Sequence, residues 1–172
     1  MAKSNIVLSG FMASGKTIVG TLLERMLGLP LVDTDSLIEE EAGRSVQQIF
    51  EVEGEARFRE LERQVIARES ERDGAVLAVG GGAVLDRGNV ENLKKRGVVY
   101  LLSVSPEEAA RRAGKGADRP LLAEDLAEVR QLMVSRETAY QAAADVVVET
   151  GGKEPGDVAG VIAKDFASRS GN

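Results

Sequence analysis

The 172-residue chain has no cysteine and no histidine. Without cysteine there is no disulfide framework and no thiolate metal site. Without histidine the commonest general base and the commonest metal ligand are both missing. Acid–base chemistry must then fall to carboxylates, lysine, tyrosine or water. Positive charge is also in short supply. Lys and Arg total 22 against 28 Asp and Glu, a formal net charge of −6. Such a chain is repelled by phosphate backbones, which argues against a nucleic-acid partner. No apolar run approaches membrane-spanning length. The N-terminus, MAKSNIVLSG, has one lysine and an apolar stretch too short for the core of a secretory signal. A cytoplasmic protein with no membrane partner is expected, with a monomer as the default.

What is present is ordinary globular material. Hydrophobic residues make up 43% and charged residues 29% of the chain, and its length suits one domain spanning 1–172. Short β-branched runs alternate with helical patterns. Asn5–Ser9, Leu31–Asp33, Ala75–Val79, Val98–Leu102 and Asp145–Glu149 read as strands. They are apolar without alternation, as strands buried on both faces of a parallel sheet are. Ile18, Val19, Leu22, Leu23, Met26 and Leu27 form an apolar helical stripe that Gly28 stops. Three helical stretches lie between Asp35 and Ser70. Ser105 opens another with a capping serine, a proline and two acids. Leu121–Ala144 reads as one or two helices, and the last helix runs from about Pro155 to Ala167. Strand–helix alternation of this kind means an α/β fold with right-handed crossovers.

Between the first strand and the first helix lies Gly10-Phe-Met-Ala-Ser-Gly15-Lys16-Thr17, which fits G-x-x-x-x-G-K-[ST]. Glycines let a backbone fold round a phosphate with its N–H groups inward, and the helix N-terminus adds its positive end. In this pattern Lys16 reaches the β- and γ-phosphates and the Thr17 hydroxyl ligates Mg²⁺. The usual companion acid is missing, because the third strand ends in Gly80. The second strand supplies two acids instead, Asp33 and Asp35. One of them can also cap the helix that follows.

Further along stand DTD at 33–35, IFEVEGEARFRELE at 49–62, GGGAV at 80–84, DRPLL at 118–122 and RETAYQAAAD at 136–145. With the phosphate loop, and in this order and spacing, the chain resembles a shikimate kinase over essentially its whole length. The resemblance implies a P-loop kinase of the nucleoside monophosphate kinase type. Its parallel sheet would have five strands in the order 2-3-1-4-5, with a substrate-binding region at about 33–62 and a lid at about 112–122. It implies ATP and shikimate as substrates, with Mg²⁺. Asp35 would meet the substrate hydroxyls and orient or deprotonate the nucleophile, and Arg59 and Arg136 would hold the carboxylate. The backbone of Gly80, Gly81 and Gly82 would approach the ring. Asp33 would support Mg²⁺ through water. Gly10, Ala13, Ser14, Gly15, Lys16 and Thr17 would cradle the phosphates, and Arg119 would close on them from the lid. Arg112 would stack near adenine, with Lys153 and Pro155 on the other side.

Several of these residues carry a second reading. Glu55 and Glu62 flank Arg59 at i−4 and i+3, which suits a salt-bridged exposed face. The spacing alone favours that face; the resemblance favours a guanidinium fixed by Glu62 for bidentate carboxylate binding. The glycine triplet could be a plain turn, and Arg136 alone says nothing. Ala13 stands where many relatives carry glycine, and alanine is strained there if the position needs φ > 0. Two other functions stay open. A gluconate-type kinase would share Lys16 and Thr17 but should not need Arg59, Arg136 and the glycine triplet together. A catalytically retired module would have lost Asp35 or the lid arginine, and both are kept. No N-K-x-D guanine signature supports a GTPase.

Overall fold

The computed structural model describes residues 3–113 and 126–170. Five strands, β1 (Asn5–Ser9), β2 (Leu31–Asp33), β3 (Val76–Ala78), β4 (Gly97–Ser103) and β5 (Val146–Glu149), form one parallel sheet. The order is β2-β3-β1-β4-β5, as the resemblance implies. The helices are α1 (Lys16–Leu27), α2 (Thr34–Ala42), α3 (Val46–Val52), α4 (Glu55–Glu69), α5 (Arg87–Arg96), α6 (Pro106–Ala113), α7 (Leu126–Ala143) and α8 (Pro155–Ser170). Among the described residues no helix is long and apolar enough to cross a membrane.

The unalternating strands are sandwiched because each face has its own core. Ile6, Leu8, Tyr100 and Leu102 pack on Val19 and Leu23 of α1 and Val158 and Ile162 of α8. On the opposite face Val7, Leu77, Val99 and Leu101 meet Ile66 of α4, Leu93 of α5, Ala109 of α6 and Tyr140 of α7. The sheet edges depart from expectation. Val147 of β5 is 44% exposed, because an edge strand is covered less completely than the centre. The α1 stripe is also narrower than its sequence suggests. Val19 and Leu23 are buried, but Ile18 and Met26 are exposed, lying off the face that touches the sheet. Helix α5, which no motif announces, starts at Asp86, whose carboxylate accepts from Asn89 N.

A third, small core of Ile38, Ile49, Phe58 and Val65 binds α2, α3 and α4 to one another. It sits beside the carboxyl end of β2. Helix α3 is opened there by a capping box between Ser45 and Gln48. The three helices therefore form a rigid shoulder next to the phosphate loop. The carboxyl ends of parallel strands are where ligands bind in such folds.

Candidate active site

The loop from Gly10 to Gly15 has the geometry its glycines suggest. Gly10 has φ +143, and a Cβ there would stand 2.6 Å from the Leu102 carbonyl oxygen. Gly15 has φ +98 and begins α1 with no side-chain cap, and no acid stands in the first turn. The positive end of α1 thus faces the loop with no acid beside it, as suits an anion. Lys16 folds back over the loop and donates from Nζ to the carbonyls of Gly10 (2.7 Å) and Phe11 (3.0 Å). Ser14 is buried in the loop, and Thr17 is exposed at its rim.

Ala13 has φ +59 and is, among the described residues, the non-glycine with positive φ. The position does need a left-handed backbone, so alanine is strained there by about 1–2 kcal/mol. Glycine gives back part of that gain through greater unfolded-chain freedom, about 0.5–1 kcal/mol. Ala13→Gly should therefore raise the melting temperature by about 1–3 °C. A lower melting temperature in a thermal scan would contradict the strain.

Next to the loop, Asp33 at the end of β2 and Asp35 at the start of α2 have different tasks. The helix begins at Thr34, so the pair does not lie on one extended segment. Asp33 caps α2, its carboxylate accepting from Asp35 N (3.1 Å) and Ser36 N (3.2 Å). Asp35, in the first turn of α2, faces the glycine triplet. A Cβ on Gly80 would come within 2.6 Å of Asp35 Oδ1 and 3.2 Å of Glu62 Oε1. Both oxygens are buried without a hydrogen-bond partner. The Asp35 carboxyl is pushed up to about 6. Burial is the main cause, followed by the charges of Asp33 and Glu62, and Lys16 opposes them.

Arg59 is no exposed salt-bridge residue. Its Nη1 donates to Glu62 Oε2 at 2.8 Å, and Glu62 is 1% exposed. Glu55 accepts from Nε and Nη2 on the outer side. Burial holds the Glu62 carboxyl above its ordinary value, with Arg59 pulling the other way. The guanidinium lies over the third glycine, where a Cβ would stand 2.5 Å from Nη2. Across the turn, Tyr140 of α7 donates its hydroxyl to the Gly81 carbonyl at 2.6 Å. Arg136 of the same helix lies 6.0 Å from the Phe11 ring centroid. Its Nη1 is 3.7 Å from where a Gly81 Cβ would be. Two carboxylates, two guanidinium groups and three bare backbone residues thus converge beside the phosphate loop.

The family model for shikimate kinase matches residues 12–167. The chain belongs to the shikimate kinase family. It is similar to the shikimate kinase of Moorella thermoacetica, 47% identical over 156 residues, which are 90% of each chain. A solved shikimate kinase from Acinetobacter baumannii, in complex with shikimate, superposes with a TM-score of 0.89 at 36% identity, covering 96% of this chain and 94% of that one. A gluconokinase from Sinorhizobium meliloti superposes at TM-score 0.60 with 12% identity, over 100% of this chain and 97% of that one. That likeness is one of fold alone.

Shikimate kinases use ATP with Mg²⁺, and the donors here fit that ion. The Thr17 hydroxyl and the Asp33 carboxylate are hard oxygen ligands, the kind Mg²⁺ takes. Among the described residues no group of three acids could hold a metal alone. A site of this kind suits an ion that arrives with its nucleotide and keeps much of its water. Lys153 is exposed in the turn after β5 and Pro155 opens α8. Arg112, near the end of α6, reaches this turn and donates from Nη2 to the Thr150 carbonyl at 2.9 Å. Arg119 lies outside the described residues. Glu62, Tyr140 and Thr150 are missing from the site residues that the motifs single out. Glu62, at i+3 from Arg59, and Tyr140, at i+4 from Arg136, do stand within those motifs; Thr150 has no local signal.

Proposed function

We infer that this chain carries out its family's reaction, transfer of the γ-phosphoryl group of ATP to a hydroxyl of shikimate, and we propose a role for each residue in it. The observation that carries the assignment is Asp35. It is a carboxylate with one oxygen buried and unpartnered, at Gly80 of the glycine triplet whose other two members meet Arg136 and Arg59, and within reach of the charge of Lys16. In a chain without histidine it is the group placed to orient the attacking hydroxyl or take its proton. Arg59 and Arg136 bind the substrate carboxylate, and Glu62 holds Arg59 in the geometry for a bidentate pair. Gly80, Gly81 and Gly82 let the ring lie against backbone. Residues from about 33 to 62 make the substrate-binding region; the lid expected at about 112–122 lies mostly outside the described residues.

The loop amides of Gly10, Ala13, Ser14 and Gly15 and the α1 N-terminus hold the phosphates. Lys16 neutralises charge as the γ-phosphoryl group departs. Thr17 would hold Mg²⁺ directly and Asp33 would support it through water; the ion would supply neutralisation of phosphate charge. Arg119 adds a further positive charge from the lid. Arg112, Lys153 and Pro155 enclose the adenine. The proposal extends to a cytoplasmic monomer with no nucleic-acid or membrane partner, which the net charge of −6 supports.

Arg59→Lys keeps the charge but loses the planar fork. Loss of one charge-assisted hydrogen bond, about 1.5–3 kcal/mol, should raise KM for shikimate about 10–100-fold. KM for ATP should stay unchanged. An equal rise in both constants would remove Arg59 from the acceptor site.

A further inference from the structure

Arg112 does more than border the adenine pocket. Its Nε donates to Glu108 Oε1 at 2.8 Å. Its Nη2 donates to the Thr150 carbonyl at 2.9 Å and its Nη1 to the Thr150 hydroxyl at 3.2 Å. The same Nη1 is directed at the carbonyls of Ala13 and Ser14, both at 3.4 Å. These two carbonyls belong to the left-handed corner of the phosphate loop. Thr150 is 3% exposed and is itself fixed. Both its N–H (2.9 Å) and its hydroxyl (3.0 Å) donate to the carbonyl of Ser103, the last residue of β4. The Thr150 hydroxyl therefore donates to the sheet and accepts from Arg112 at once. A guanidinium has its donors in one rigid plane, so fixing two edges fixes the whole group.

We propose that Thr150, with Glu108, is a positioning residue for the nucleotide. It locks Arg112 as a strap that holds the Ala13–Ser14 corner of the phosphate loop and, with the same guanidinium, sets one wall of the adenine pocket. Base and phosphate recognition are then coupled through one side chain. A loop strained at Ala13 keeps its shape because its outward carbonyls are held, while its N–H groups stay turned toward the phosphates. The inference rests on the assignment of ATP to this loop. It makes Thr150 specific to nucleotide binding, because the Thr150–Arg112 contacts involve none of Asp35, Arg59 or Arg136.

The test is MgADP binding by calorimetry, with KM for ATP and for shikimate, in the wild type and in Thr150→Val and Thr150→Ser. Valine keeps the shape and removes both hydroxyl bonds. It should weaken MgADP and raise KM for ATP about tenfold, with KM for shikimate within about twofold. Serine restores the hydroxyl and should return both nucleotide constants to the wild-type range. Valine with wild-type nucleotide constants, or a parallel rise in KM for shikimate, would overturn the inference. A wild type without measurable MgADP affinity would overturn the nucleotide site beneath it as well. If the valine variant fails to fold, Glu108→Gln carries the test. It weakens the charged hold on Arg Nε from the outer side and should raise KM for ATP about threefold. An unchanged value there overturns the strap.

Discussion

Asp35→Asn should lower kcat by about 10²–10⁴-fold, the usual contribution of a positioned acid–base group, and at the same time make the protein more stable at neutral pH. The loss of activity follows from removing the carboxylate that faces the glycine triplet, where the acceptor is proposed to bind. The gain in stability follows from its environment. The Asp35 carboxyl stands at about 6 in the folded protein against an ordinary 3.8. Below pH 3.8 the carboxyl is protonated in both folded and unfolded chains and costs nothing. Between pH 3.8 and about 6 the unfolded chain ionises while the folded protein keeps the proton on this group beside Asp33 and Glu62, so stability falls as pH rises and the loss is complete above about 6. At about 1.4 kcal/mol per unit, the shift amounts to about 3 kcal/mol by pH 7. Asparagine does not ionise. Its melting temperature should exceed that of the wild type most at pH 7–8, and the gap should close toward pH 4. The wild-type activity should show the matching signature, with kcat/KM for shikimate falling as pH drops below about 6. Equal melting temperatures across this range would mean that Asp35 is not held against its ionisation.

The second large effect is expected from a single methyl group. In Gly80→Ala the added Cβ would lie 2.6 Å from Asp35 Oδ1, 3.2 Å from Asp35 Oδ2 and 3.2 Å from Glu62 Oε1. Real Cβ atoms do not approach oxygen so closely, so the carboxylate must move. Asp35 has a short side chain in the first turn of α2, and its position there is fixed by the Asp33 cap. A displacement of about 1 Å at a reacting group costs about 10²-fold in rate. Gly80→Ala should lower kcat/KM by about that factor, with the fall lying mainly in kcat. KM for ATP should be unaffected, since the phosphate loop is not displaced. A variant with wild-type kcat would show that the Asp35 carboxylate need not occupy the place it has here.

The features written locally in the chain were legible from it. The phosphate loop declared itself because its function needs glycine, lysine and threonine at fixed spacing. The strands declared themselves because both their faces are buried, and Asn5–Ser9 and Leu31–Asp33 match residue for residue. Strand order is different. The residues supply the alternation, but only the resemblance supplied the order 2-3-1-4-5, since nothing local records which strands become neighbours. The same limit governs the site. Tyr140 reaches Gly81 across 59 residues and Arg112 reaches Thr150 across 38, and no periodicity encodes such pairs. Arg59 shows the intermediate case. Its partners at i−4 and i+3 were visible, but the burial of Glu62, which turns a surface ion pair into a fixed binding group, depends on the third core. The split between Asp33 and Asp35 was decided by where α2 starts, at Thr34 between them.

The most direct test is ADP release from MgATP by the purified protein, measured with shikimate, with gluconate and with no acceptor. The account predicts release that depends on shikimate and is absent with gluconate. Release with gluconate but not with shikimate would leave the phosphate loop in place and contradict the acceptor site built from Asp35, Arg59 and Arg136.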